Sequence, residues 1–293
     1  MLITLGVMLL VVVLLLGMPI GFAMAFAGAV GLWALGGFDT MMGILSAAPY
    51  RNTASWLLTS IPLFVLMAEV LSASRLSGEM FDAANKWVGR LPGGLAVATV
   101  LTSAGFGAVC GSSTAATATM ARTAVPEGRR LGYDAGLISG TVAGAGTLSI
   151  LIPPSLILVI YGILTENSIG TLFVAGIVPG LATTLAYALA ILIIVKRKPA
   201  LVPAGEGART TWAERWTSVR QLWPVALLFF AVIGTLYGGI ITVTEVAAVG
   251  AAGSILIAGP LLRRLSLKDM LLALRRTTYT TALIFAIIIG AHI

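Results

Sequence analysis

Two short runs of this chain carry residues suited to chemistry. The first is Cys110-Gly111-Ser112-Ser113-Thr114; the second runs Gly146-Thr147-Leu148-Ser149-Ile150-Leu151-Ile152-Pro153-Pro154-Ser155. Both lie inside apolar stretches and put helix-breaking residues where a membrane helix should be continuous. In hydrocarbon every N–H and C=O needs a partner, so irregular backbone survives only where protein, water or an ion supplies one. Pro153 and Pro154 remove two N–H donors and free the carbonyls upstream. Unwound carbonyls with serine hydroxyls form a neutral oxygen cage suited to Na⁺, and half-helix N-termini favour an anionic carboxylate. Two interruptions close together fit the midplane site of a secondary transporter. Packing through small residues with a proline kink is the competing reading, and the residues alone leave both open.

Other chemistries find little support. Cys110 is the single cysteine, which excludes an internal disulfide and a cysteine metal cluster; the single histidine, His292, gives a zinc or Ser-His-Asp site little support. A serine nucleophile at Ser112 or Ser113 has no histidine or aspartate base near it in sequence, so an intramembrane serine enzyme is the weaker alternative.

The elements that must position these runs are membrane spans. Hydrophobic residues make up 58% of the chain, charged residues 10%, and the mean hydropathy is +1.03. A soluble domain carries about 25% charge, so the chain reads as all-α and polytopic. The formal charge of +7 is scattered between apolar segments, which indicates cytoplasmic loops and contact with membrane lipid rather than nucleic acid.

The N-terminus is apolar to Gly37 without a basic leader and reads as mature structure broken at Gly17-Met18-Pro19. Residues 1–74 are scaffold spans, with a polar loop around Asp39, Arg51 and Asn52. Residues 75–91 form an amphipathic interfacial helix, with Leu76, Met80, Phe81, Ala84, Trp87 and Val88 at helical spacing among charges. Residues 92–166 are half of a transport domain, built from a re-entrant hairpin over 94–125 and a broken helix over 133–163. Residues 167–276 are further scaffold spans with a cytoplasmic loop over 196–222. Placing that loop inside puts every Lys and Arg except Arg51 on the same face, provided 94–125 re-enters. The N-terminus then lies in the periplasm.

The segments FGAVCGSSTAATATM, GTLSILIPPSLILVIYG, SIGTLFVAGIVPG and GGIITVTEVAAVGA resemble the large membrane subunit of tripartite ATP-independent periplasmic (TRAP) transporters, the DctM type. The resemblance holds one register along the chain. It implies an elevator-type, Na⁺-driven importer of a carboxylate-containing organic acid in the bacterial inner membrane. C4-dicarboxylates and sialic acid belong to that substrate class. Its implied partners are a small four-helix membrane subunit and a periplasmic substrate-binding protein. Carried over by position, Na⁺ falls to Gly111, Ser112, Ser113, Ser149, Ile152, Pro153 and Pro154. Ser113, Thr114, Gly146 and Thr147 are the substrate-side candidates. Cys110 and Ser149 stand where the family usually has serine and glycine, and the Pro126-Glu127-Gly128 loop departs from its pattern. The family continues into a second hairpin, so 277–293 reads as the start of that element, cut short. A one-component divalent-anion/Na⁺ symporter shares the hairpin logic, and a non-transporting assembly subunit is the reading from another class.

Overall fold

The computed structural model describes residues 2–203 and 210–293. All regular structure among them is helical. The chain forms α1 (Leu2–Leu15), α2 (Ile20–Thr53), α3 (Ser60–Ala73), α4 (Leu76–Val88), α5 (Gly94–Cys110), α6 (Ser113–Leu131) and α7 (Ala135–Gly146). It continues with α8 (Leu148–Leu151), α9 (Leu156–Leu164), α10 (Ile169–Arg197), α11 (Trp212–Gln221), α12 (Trp223–Tyr237), α13 (Val243–Leu256) and α14 (Leu267–Ala291). Five helical stretches are long and apolar enough to cross a membrane: α2, α10, α14, Trp56–Ala73 and Val243–Leu261. Two pairs bent at a short break also qualify together, α7–α8 with α9 (45°) and α11 with α12 (49°). This is a polytopic membrane protein.

The chain divides into two units, one of residues Met1–Pro62 with Arg275–Ile293 and one of Leu63–Leu274. In the first, the chain leaves α1 through Gly17 (φ 86°) and enters α2 after Pro19, whose missing N–H costs nothing ahead of a helix start. The end of α14 crosses α2 where glycines permit. A Cβ on Gly21 would lie 2.6 Å from the Ala286 carbonyl carbon, and one on Gly28 2.7 Å from that of Ile293. Many described side chains of α1 are exposed, Ile3 at 85%, while Val13 is buried, as expected of a helix with one face to lipid.

The second unit is organised around α5. Apart from Leu101 and Gly105, every residue from Gly94 to Cys110 is buried, and a helix apolar all round belongs inside. Around it lie Phe81 of α4, Met120 and Ala124 of α6, Ile138 and Val142 of α7 and Ile191 and Val195 of α10. Gly111 in the left-handed region (φ 64°) and an extended Ser112 turn the chain from α5 into α6. The two helices form a hairpin, with Leu95 and Ala96 at the start of α5 beside Met120 and Ala124 late in α6. At its base the buried N–H of Leu95, an unpaired donor of the first turn of α5, donates to the Tyr133 hydroxyl at 3.1 Å.

Several expectations need correction. The stretch after Gly37 is helical to Thr53 rather than a polar loop; Gly37 (φ 79°, ψ 178°) is a non-helical break that divides α2 into two helical parts. Pro126-Glu127-Gly128 is no loop but lies within α6, which runs to Leu131 instead of 125. The basic stretch 196–222 contains α11, opened by a capping box in which Thr211 and Glu214 satisfy each other's backbone; its residues 204–209, and Met1 of the first span, lie outside the described residues. Residues 277–293 do not begin a new element. They continue α14, which starts at Leu267 because Ser266 and Asp269 exchange cap hydrogen bonds (3.2 Å each from backbone N–H).

The apolar face of α4 is taken up inside the protein, with Leu76, Met80 and Phe81 buried. Its last turn meets α11: the Lys86 carbonyl accepts from Thr210 Oγ1 (3.0 Å) and Arg215 Nε (3.2 Å). Trp87 stacks edge-on with Trp212 and Trp216 at 6.4 and 6.1 Å. The Glu79 carboxylate pairs with Arg264 at 2.6 Å and raises its guanidinium pKa.

Tyr133→Phe should leave the Leu95 N–H without its acceptor and cost about 1–3 kcal/mol. Thermal unfolding in detergent checks this, with Tyr161→Phe on an exposed ring as the unchanged control.

Candidate functional site

The broken helix meets the hairpin tip. Along α7 and α8 the ladder runs to Ile152, whose N–H donates to Leu148 (3.0 Å) before its own backbone becomes extended. Pro153 and Pro154 follow, joined by a cis peptide bond. They have no N–H to return to the carbonyls of Ser149 and Ile150. Ser155 is extended and caps α9 by accepting from the Leu158 N–H at 3.4 Å. Ser112 does the same for α6 from Ala115 at 3.4 Å, and its hydroxyl also meets Thr114 Oγ1 at 3.2 Å. Each interruption therefore ends in a capped half-helix.

A backbone hydrogen bond joins the two interruptions: the Leu156 N–H donates to the Gly111 carbonyl at 3.1 Å. The Pro154 carbonyl lies so close that a Cβ on Gly111 would come within 2.5 Å of its oxygen. One turn earlier on α5, a Cβ on Gly107 would stand 2.5 Å from Ser149 Oγ and 2.7 Å from Ser149 Cα. Ser149 is fully buried and its hydroxyl has no hydrogen-bond partner among the described residues. A buried orphan hydroxyl costs about 1–3 kcal/mol, so this oxygen stands ready for a donor or a cation. Among the described residues no three His, Cys, Asp or Glu side chains gather. The oxygens at this contact are neutral: the Pro154 carbonyl against Gly111 and the Ser149 hydroxyl against Gly107, one turn apart along α5.

The sequence-level candidates are brought together unequally. Gly111, Ser112, Ser149, Ile152, Pro153 and Pro154 share the junction, and half-buried Ser113 opens α6 beside it. The substrate-side set does not converge. Thr114 is exposed and bonded to Ser112. Gly146 is a contact glycine, where any Cβ would overlap Thr117 Oγ1. Thr147 turns away: its hydroxyl donates to the Gly144 carbonyl (2.7 Å) and meets Tyr187 Oη (3.3 Å) on α10. The reason is helical phase, since one residue rotates a side chain by about 100°.

Four positions missed from sequence complete the junction. Gly107 admits Ser149, and Thr117 receives Gly146. Gly176 and Gly180 of α10 admit the break from the other side, their Cβ positions 2.5 Å from the Leu151 carbonyl and 2.6 Å from Ile152 Cγ1. The four-residue spacing of Gly176 and Gly180 was the available signal, since small residues one helical turn apart mark close backbone approach. Glu245 is a capping carboxylate, accepting from the Thr242 N–H at 2.7 Å.

The second unit thus holds a helical hairpin whose tip closes on a proline-broken helix, in a polytopic membrane protein. The chain matches the family model for the tripartite ATP-independent periplasmic transporter, DctM component, over residues 7–293, and it belongs to that family. It is 31% identical over 282 residues to the ectoine TRAP transporter large permease protein TeaC of Halomonas elongata, covering 94% of this chain and 64% of that protein. Against the C4-dicarboxylate TRAP transporter large permease protein DctM of Pseudomonas aeruginosa it is 36% identical over 245 residues, 83% of this chain and 56% of that one. The sialic acid TRAP transporter large permease protein SiaM of Vibrio cholerae is 26% identical over 277 residues, 94% and 64% of the two chains. The chain thus spans less than two thirds of these relatives' length. They are named as transporter permeases, not enzymes.

Gly107→Ala should press a methyl group into Ser149 and lower stability by about 1–3 kcal/mol. Gly78→Ala, with open space at its Cβ, should be neutral or slightly stabilising. Melting temperatures of the two purified variants separate the cases.

Proposed function

We propose that this chain forms part of the large permease component of a Na⁺-driven TRAP importer for a carboxylate-containing organic acid. A periplasmic binding protein delivers the substrate, and a small four-helix membrane subunit works beside the permease. The observation that carries the reading is the junction of hairpin tip and helix break, with Ser149 Oγ buried and unpartnered beside it. Na⁺ is cargo in this scheme. Its charge offsets the crowding of carbonyl and hydroxyl oxygens that the break leaves exposed to one another. The capped N-termini of α6 and α9 add partial positive charge where a substrate carboxylate would approach.

We read the hairpin as re-entrant: the 17 residues of α5 extend about 25 Å, the short end of what a span needs, and α6 returns along α5 after the turn at Gly111. The elevator movement implied by the family resemblance would carry residues 92–166. Basic loops then face the cytoplasm and the N-terminus the periplasm. The relatives are named for ectoine, C4-dicarboxylate and sialic acid transporters, which leaves the particular acid to the delivery protein. Membership of the DctM family sets aside the one-component symporter.

Uptake by the complete complex in proteoliposomes should collapse when choline replaces Na⁺; undiminished uptake would defeat the coupling. Ser149→Ala should raise the half-saturating Na⁺ concentration about tenfold, the weight of one hydrogen bond or ligand contact to a charged group. An unaltered Na⁺ titration would remove that hydroxyl from the site, and Ser112→Ala is read the same way. For orientation, Cys110→Ser clears the only native thiol. On that background an impermeant maleimide should label Arg51→Cys in intact cells, and Lys198→Cys only after permeabilisation.

A further inference from the structure

Behind the break, away from the hairpin tip, α7 and α10 leave a groove of about 420 Å³. One wall is Gly136, Gly140 and Gly144 of α7; the other is Tyr187, Ile191 and Ile194 of α10. Nothing lies within 4 Å of a Cβ placed on Gly140, so the groove is open where glycine would normally seat a neighbouring helix. Its polar groups are already engaged: Thr141 donates to the Leu137 carbonyl at 2.8 Å, and Tyr187 meets Thr147. The walls therefore offer an apolar slot.

The mouth is different in kind. Asp134 and Leu201 close it, with the Asp134 N–H donating to the Leu201 carbonyl at 2.9 Å. Between the lining residues Ile194 and Leu201 run Lys196, Arg197 and Lys198, all exposed and in no ion pair among the described residues. The Asp134 carboxylate is held on the α7 end, accepting from the Leu137 N–H at 2.9 Å. Arg197 and Lys198 continue the face of Tyr187, Ile191 and Ile194 at helical spacing, whereas Lys196 falls on the opposite side of α10. Two cations against one engaged carboxylate call for an anionic group at the entrance of an apolar slot.

We infer that this groove binds one acyl chain of an anionic glycerophospholipid, with the phosphate held by Arg197 and Lys198. A transmembrane helix, about 10 Å across, is too wide for a space of this volume, which lies in the small-ligand range of about 300–1,000 Å³. The neighbouring segment 204–209, Ala-Gly-Glu-Gly-Ala-Arg, has no apolar side chain long enough to fill it. Anionic lipids concentrate in the cytoplasmic leaflet, where each nearby Lys or Arg adds to the attraction. The bound lipid would fill the space between the broken helix and α10 from the side opposite the ion junction.

Vesicles of phosphatidylcholine containing a trace of acyl-diazirine phosphatidylglycerol or acyl-diazirine phosphatidylcholine, loaded with the full chain in its complex, test this by photolabelling and peptide mass spectrometry. Peptides covering 136–145 and 187–194 should be labelled more strongly than the lipid-facing α1. The phosphatidylglycerol probe should exceed the phosphatidylcholine probe at least about fivefold there, the weight of a single basic residue at a membrane surface. Gly140→Leu, which fills open space, should abolish this labelling and leave that of α1 unchanged. Replacing Arg197 and Lys198 by Gln should equalise the two probes. Labelling no stronger than on α1, or unaffected by Gly140→Leu, would overturn the site, as would protection of these peptides by a second protein. Equal labelling by both probes in the unaltered chain would overturn the phosphate contact. None of these readouts depends on Na⁺ or uptake, so this inference and the transport reading fail separately.

Discussion

The structure turns on what happens to backbone polar groups when a helix is interrupted inside a membrane. At Pro153-Pro154 two N–H donors are missing and the chain must still cross hydrocarbon. The interruption survives because protein closes on it from two sides. Gly107 and Gly111 of the hairpin bring backbone against it in front, and Gly176 and Gly180 of α10 do so behind. The bond from the Leu156 N–H to the Gly111 carbonyl ties the two irregular stretches into one. Each is the support that makes the other tolerable.

Seen from that junction, the rest of the second unit has a definite task. Burial of α5 along all but Leu101 and Gly105 holds the tip in place, and the Leu95–Tyr133 bond fixes the hairpin's far end. The half-helices that start at the tip and the break carry serine caps, each taking one N-terminal donor, from Ala115 and from Leu158, while the partial positive charge of the helix start remains. What remains unsatisfied is the Ser149 hydroxyl. It stands against Gly107, one turn along α5 from the Gly111 contact with the Pro154 carbonyl.

The polar connectors follow a second rule. α4 and α11 are both amphipathic, and α4 buries its apolar face inside the protein while the last turn of α4 packs against α11. The carbonyl of Lys86, orphaned at the end of α4, is taken by Thr210 and Arg215 at the start of α11. Arg215 lies 5.2 Å from the Trp212 ring and 5.9 Å from Trp87, so the cation is shared by two indoles. Trp212 and Trp216 remain largely exposed, as suits aromatic rings at a membrane–water boundary.

The sequence by itself determined much here, because membrane folding leaves few options. Apolar run lengths marked the spans, Gly17-Met18-Pro19 and Pro153-Pro154 marked breaks, and Gly111-Ser112-Ser113 marked a turn; each rests on backbone chemistry that no tertiary contact can reverse. Helix starts were also written locally, in Thr211–Glu214, Thr242–Glu245 and Ser266–Asp269, although the polar residues around the first and last read as loop. Only the tertiary structure decided which side chains face the junction. Ser149 reaches it and Thr147 does not, because helical phase separates neighbours that composition cannot tell apart. The partnership of Gly176 and Gly180 with the break was equally hidden, since a glycine spacing reveals that something approaches closely but not what. Likewise α4 reads as a helix resting on lipid until α5 and α11 are seen to cover it. Amphipathic spacing specifies an apolar face, and packing specifies its partner.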